Sequence, residues 1–226
     1  KYNSLETQIN YNQAITYFDP INFTDYYISN IFVANDDWPH NNVLFWRKKT
    51  DYTPNYQGTD DGRFRFLMKD ADRGFYLRER YENSYEANTL DWATQIIDEN
   101  ANPFTAYQNR PTLLIRRLLE NEAYKYYFIT RFADLLNTTF LETRVVEKIN
   151  HFQSIYASEI DENSRRLSDF TANYDQRIND VHRMKDFANN RPEHQRQHLI
   201  EKFNLDGEFE LEVDIYHSDD GYIHLN

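Results

Sequence analysis

The chain has 226 residues, 40% of them hydrophobic and 16% aromatic, with 18 tyrosines and 16 phenylalanines. That composition fills a sizeable core and argues against disorder, which is poor in aromatics. A net charge of −12 opposes a nucleic-acid partner, and the absence of cysteine removes a disulfide framework, a thiolate zinc site and a Cys nucleophile. Apolar runs fall well short of the roughly 20 residues of a membrane helix. The opening KYNSLETQ has neither an initiator Met nor a signal-peptide core, so the sequence reads as part of a longer protein.

In chain order, residues 1–18 look helical but weakly patterned. Asp19-Pro20 is a helix start, with an acidic N-cap and Pro in the first turn. Ile21, Tyr27, Ile28 and Ile31 then recur at helical spacing, which predicts one apolar face through about Ala34. The helix stops at NDDWPHNN, residues 35–42, where Pro39 prevents its continuation. Val43 to Trp46 reads as a buried strand. A turn-rich stretch leads to Arg63–Met68, where Phe64, Phe66 and Met68 alternate onto one face of a second strand. A local connection between the two predicts an antiparallel hairpin.

Helices follow. One is expected over Leu90–Glu99. Another opens at Pro111 with Leu114, Ile115, Leu118 and Leu119. A third spans about Glu122–Leu136, with Tyr126, Ile129, Phe132 and Leu136 inward. A fourth runs from Glu142 past Ile160 on Val145, Ile149, Phe152, Ile155 and Tyr156. A fifth covers Tyr174–Asn189, and Pro192 starts a sixth that ends near Phe203. The alternating tail with Asp220-Gly221 reads as a terminal hairpin. The fold class is therefore mainly α with small β hairpins (α+β). One unit is expected over residues 1–205, with 206–226 as a hairpin or the start of a following module.

The hairpin gives the polar stretch its chemistry. Asn42 precedes the first strand, and Asp70, in KDADRGF, follows the second. In an antiparallel pair these ends are neighbours, with Asp36 and Asp37 just outside, and Asp72 projects to the same side as Asp70. Such hard oxygen donors suit Mg²⁺ or Mn²⁺. Acids and Asn are also ordinary turn residues, which is the plain structural alternative. Asp37 and Asn42 are five apart, the spacing of the kinase D-x-x-x-x-N loop, and Asp70 follows in the order that chemistry uses. Asp36 and Asn41 share the spacing, so both pairs remain open.

NFTDYYISNIFVANDDWPHNNVLFWRKK, GRFRFLMKDADRGF and NEAYKYYFITRFADLLNTTF resemble the CotH family, whose members have an atypical protein-kinase-like fold. The resemblance runs from about residue 15 to 205 and corresponds to the C-terminal lobe. It implies ATP and Mg²⁺ or Mn²⁺ as cofactors and Ser/Thr of a protein as the phosphate acceptor. It implies a catalytic Asp37, a metal-binding Asn42, a principal metal-binding Asp70, and Asp72 as the second acid of the D-x-D. It also implies a bacterial exported or cell-envelope setting. Lys69 departs from the aromatic or apolar residue usual before the first Asp. The phosphate-binding loop and nucleotide Lys are expected upstream.

Other features carry less. His194 and His198 are four apart but lack the Glu of H-E-x-x-H, so a solvated helix face is the plainer reading. Trp38 and Trp46 are expected in the core, and His40 as a loop hydrogen-bonder. Arg116-Arg117 and Arg165-Arg166 read as helix-surface arginines. The alternatives to a kinase are a non-catalytic scaffold module of the same fold that binds protein or glycan, and a two-carboxylate glycosidase. Hairpin ends sit too close for an inverting pair.

Overall fold

The computed structural model describes residues 4–56, 58–76, 83–96, 111–166 and 174–210. Of the terminal hairpin expected over 206–226 only residues 206–210 are described, and they form no strand; the helix expected over Leu90–Glu99 ends early, at Thr94, because Gln95 is extended, and residues 97–99 lie outside the described residues.

Helix α1 spans Gln8–Ala14, capped by the Thr7 hydroxyl. Helix α2 spans Pro20–Phe32, and the Asp19 carboxylate accepts from the N–H groups of Ile21 and Asn22 as the sequence predicts. Tyr27, Ile28 and Ile31 are buried, but Ile21 in the first turn faces solvent. Strand β1 is Leu44–Trp46 and β2 is Arg65–Leu67, antiparallel with Leu44 opposite Leu67 and Trp46 opposite Arg65. Short 3-10 turns at Gly74–Tyr76 and Ser84–Glu86 lead to α3, Thr89–Thr94. Helix α4 is Leu113–Leu118, α5 is Glu122–Leu136, α6 is Glu142–Arg166 and α7 is Tyr174–Phe203.

The core forms where α2, α3, α4 and α5 meet α7. Phe23, Tyr27, Ile31, Leu90, Ile115, Phe128, Phe132 and Leu199 are buried in one cluster. In α5 the inward row is Tyr124, Phe128, Phe132 and Leu136, each four residues on from the last. Tyr126 is off that row by two residues and exposed, contrary to expectation. Asn121 caps α5 through Tyr124 N, which fixes where the row begins.

Three further expectations change. The strand β1 is not buried: Val43, Leu44, Phe45 and Trp46 are all exposed, as are Leu67 and Met68 across the hairpin. Only one side of a two-stranded ribbon meets α2, through Phe23, Tyr26 and Phe66. Among the described residues nothing covers the rest. Second, α7 is one helix and not two. Pro192 lies inside it, buried, although proline removes a helical hydrogen bond. Here α7 is held on both sides, by α6 along one flank and by α3, α5 and both 3-10 turns along the other. Third, Phe152, Ile155 and Tyr156 of α6 are exposed, and only Ile149 of the expected row is buried.

Asn22 joins the hairpin to the helical core. Its Oδ1 accepts from Phe66 N at 2.6 Å and its Nδ2 donates to Phe66 O at 3.2 Å, so the side chain substitutes for a neighbouring strand. Below it, Asp61 is buried between Arg63 and Arg65, with Arg65 also reaching Asp19 at 3.1 Å. Burial pushes the Asp61 carboxyl up, but both guanidiniums and the Arg63 N–H outweigh burial and hold it well below the usual carboxylate range.

Candidate functional site

The polar corner is built from two segments, 35–42 and 69–75, that three contacts bring together. The hairpin pairs the strands that leave them. Phe75 N donates to Val33 O at 2.6 Å, and Gly74 sits so close to Val33 that a Cβ there would lie 3.3 Å from its Cγ2. Arg73 closes the set by ion-pairing with Asp36, Nε to Oδ1 at 2.6 Å.

Within the first segment the backbone is fixed from below. Trp38 is buried and its indole N–H donates to the Tyr26 hydroxyl at 2.7 Å. The Trp38–Pro39 peptide is cis. Asn35, also buried, accepts from Asp37 N at 3.3 Å and donates to Asn30 Oδ1 at 3.1 Å. The loop is thus anchored by an aromatic and a carboxamide while its acids stay half-buried at the surface.

The two neighbouring acids face different partners. Asp36 is taken by Arg73. Asp37 accepts from Asn42 Nδ2 at 2.8 Å and from Asn41 Nδ2 at 3.3 and 3.4 Å on its two oxygens. His40 Nε2 stands 3.9 Å from Asp37 Oδ1, too far for a hydrogen bond. An amide that gives its N–H to Asp37 turns its carbonyl oxygen elsewhere, so Asn42 Oδ1 is free to act as an acceptor or ligand.

Asp70 and Asp72 are exposed and form no hydrogen bond or ion pair among the described residues. The pairing ends at Leu44 and Leu67, so Asn42 and Asp70 stand two and three residues beyond the same end of the hairpin. Asn42 (φ 54°) and Asp70 (φ 51°) both leave the hairpin in the left-handed region, as do Ala34 (φ 52°) and Phe75 (φ 58°) at the outer ends of the corner. Such residues are costly away from glycine and concentrate at functional sites. Among the described residues no group of three or more His, Asp or Glu stands close enough to hold a metal by itself.

The remaining candidates separate. His198 is buried, not solvated; burial first, and the Arg191 charge second, depress it to about 4. His194 packs against Tyr85 with tilted rings, their centroids 5.3 Å apart. Trp46 is exposed, whereas Trp38 is in the core.

A family model described as CotH kinase protein matches residues 2–195. The chain belongs to the CotH kinase family. No curated protein and no solved structure matches it. CotH membership places the chain in a kinase-like family, and it agrees with a mainly helical fold around one small antiparallel sheet. No described helix is long and apolar enough to cross a membrane.

Sequence reasoning passed over the residues that make this CotH corner rigid. Arg73 was available as the basic residue one place beyond the D-x-D, opposite two adjacent acids needing a partner. Asn35 and Asn22 carried no such signal, because a carboxamide that binds backbone is indistinguishable in sequence from a surface one.

Proposed function

We propose that the CotH corner carries metal-dependent phosphoryl transfer from ATP to Ser or Thr of a protein, with Asp37 orienting the acceptor hydroxyl and taking up its proton. The observation that supports this most is the contrast between the two adjacent acids: Asp37 bonds the Asn five residues on, while Asp36 is neutralised by Arg73. In the D-x-x-x-x-N arrangement the acid and the Asn act together, and Asp37 with Asn42 meets that requirement.

The residues fit a magnesium-type cation. Asn42 Oδ1, Asp70 and Asp72 are hard oxygen donors with no competing partner among the described residues. They are too few for an all-protein cage, which suits an ion that completes its shell with water and phosphate oxygens. When bound, the metal would neutralise charge on the phosphates. Asp70 and Asn42 would hold it, Asp72 would support or share it, and Asn42 would at the same time fix the Asp37 carboxylate through its N–H. On the hairpin face turned away from α2, the exposed side chains of Leu44, Trp46 and Leu67 offer apolar surface to a purine ring.

The test uses protein expressed from its complete reading frame, incubated with γ-labelled ATP and Mg²⁺ or Mn²⁺ and a protein acceptor. Label on Ser or Thr that is lost in Asp37→Ala and Asp70→Asn supports the proposal. Labelling unchanged in both variants removes it. No labelling by the wild type together with no metal-dependent nucleotide binding favours a scaffold that retains the fold.

A further inference from the structure

Helix α6 presents an apolar stripe that no described element covers. It lies against α7 in antiparallel fashion: Arg177 Nη1 donates to Ile160 O at 3.0 Å, and Lys185 Nζ to Gln153 Oε1 at 3.2 Å, so one helix descends as the other rises. Ile149 is buried in that contact. On the other flank Phe152, Ile155 and Tyr156 are 52%, 50% and 56% exposed. Three large apolar side chains within five residues form a contiguous patch, not isolated surface hydrophobes.

The flanking charges show what would cover it. Lys148, Phe152, Ile155 and Glu159 follow one another at steps of four, three and four residues, the spacing of a coiled-coil seam. Lys148 and Glu159 are exposed, and neither makes an ion pair or hydrogen bond among the described residues. The seam reads basic, apolar, apolar, acidic. A second copy of the same helix laid antiparallel meets it in reverse order. Phe152 then faces the partner's Ile155, Ile155 faces the partner's Phe152, and each Lys148 faces a Glu159. A parallel copy would set Lys148 beside Lys148 and Glu159 beside Glu159. The sequence of charges therefore selects one orientation, and the arrangement closes on itself about a two-fold axis between residues 153 and 154.

We infer that α6 pairs two copies of this chain antiparallel through Lys148, Phe152, Ile155 and Glu159. The interface is a single seam, so the dimer is of the weaker, concentration-dependent kind. It lies outside the polar corner and is independent of the phosphotransfer proposal.

Sedimentation velocity over roughly 1 to 300 μM tests it, at low and high salt. The wild type is expected to shift from monomer to dimer in this range, more readily at low salt. Ile155→Glu is expected to remain monomeric with unchanged far-UV circular dichroism, since residue 155 is exposed. Lys148→Glu alone and Glu159→Lys alone should each weaken association by roughly tenfold. The double variant Lys148→Glu/Glu159→Lys should restore it, because the pairs re-form with reversed sign. A wild type that stays monomeric throughout, a dimer that survives Ile155→Glu, or a double variant no better than the single ones overturns the inference.

Discussion

Arg73 reaches back across the hairpin to Asp36, with Nε 2.6 Å from Oδ1 and Nη2 donating to Oδ2 at 2.8 Å. The guanidinium thereby ties the segment after β2 to the segment before β1. Both side chains are only about one-fifth exposed, so the pair is better shielded than an open surface bridge. Arg73→Met should lower unfolding free energy by about 1 kcal/mol in urea titrations, the upper end for such a pair once solvent screening is allowed for. Arg73→Lys should recover less than half, because an ammonium cannot reproduce two parallel contacts. Equal stability of all three proteins would show that the pair does not brace the corner.

The two acids at residues 36 and 37 should respond differently to neutralisation. Asp37→Asn is expected to reduce phosphoryl transfer by about 10²- to 10⁴-fold, the usual contribution of a positioned acid–base group. Its urea midpoint should stay near that of the wild type, since Asp37 bonds only loop amides. Asp36→Asn should cost a fewfold in rate and destabilise by the amount seen for Arg73→Met. The reverse ranking of rates would transfer the role to Asp36.

Arg191 is fully buried in α7 and donates to Ile31 O, Phe32 O, Tyr85 O, Ala87 O and Thr89 Oγ1. Two of these acceptors are the last carbonyls of α2, immediately before the polar corner. Arg191→Met leaves buried carbonyls without donors, each costing about 1–3 kcal/mol, and a total loss of about 3–5 kcal/mol is expected after partial relaxation. Arg191→Lys should fall between, with three donors in place of five. Chemical denaturation measures both, and a loss below 1 kcal/mol for Arg191→Met would contradict this account.

Acid should destabilise the fold in two stages. His198 is held neutral in the native protein by burial and by Arg191, down to about 4 against an ordinary 6.5, with His194, Glu201 and Asp91 as its other charged neighbours. The unfolded chain binds this proton between those values and the native chain does not. Stability therefore rises with pH across that window and is lost as pH falls, by up to about 3 kcal/mol. Asp61 acts lower down. Its depressed carboxyl contributes stability above the ordinary 3.8 that is lost as pH drops below it. Thermal melts from pH 7 to 4.5 should show a steady decline that His198→Leu flattens. Parallel slopes in wild type and variant would exclude His198 as the cause.

Much of the architecture was legible because it rests on local signals. The Asp19-Pro20 cap, the order of helices and the antiparallel hairpin all follow from spacing and turn chemistry. So did the meeting of residues 35–42 with residues 69–75, since a short hairpin leaves no other place for its ends. The missed features depend on what lies across space. Tyr126 and Phe128 both belong to plausible apolar rows, and distant contacts select the second, with Tyr124 bonded to Thr24 and Phe128 against Phe203. Val43–Trp46 has the composition of a buried strand, yet a two-stranded ribbon has one face too many to bury. Pro192 breaks an isolated helix but not one clamped along its length. Asp36 and Asp37 are equivalent in spacing, and their difference lies in a guanidinium 37 residues away.

The unbroken course of α7 has a thermodynamic corollary. This helix borders α3, α5, α6 and both 3-10 turns, so each neighbour loses a wall whenever it detaches. Those elements cannot melt one at a time at low cost. Amide protons in α2, α5 and the central part of α7 should therefore exchange through a shared opening reaction, with a common free energy and a common dependence on denaturant.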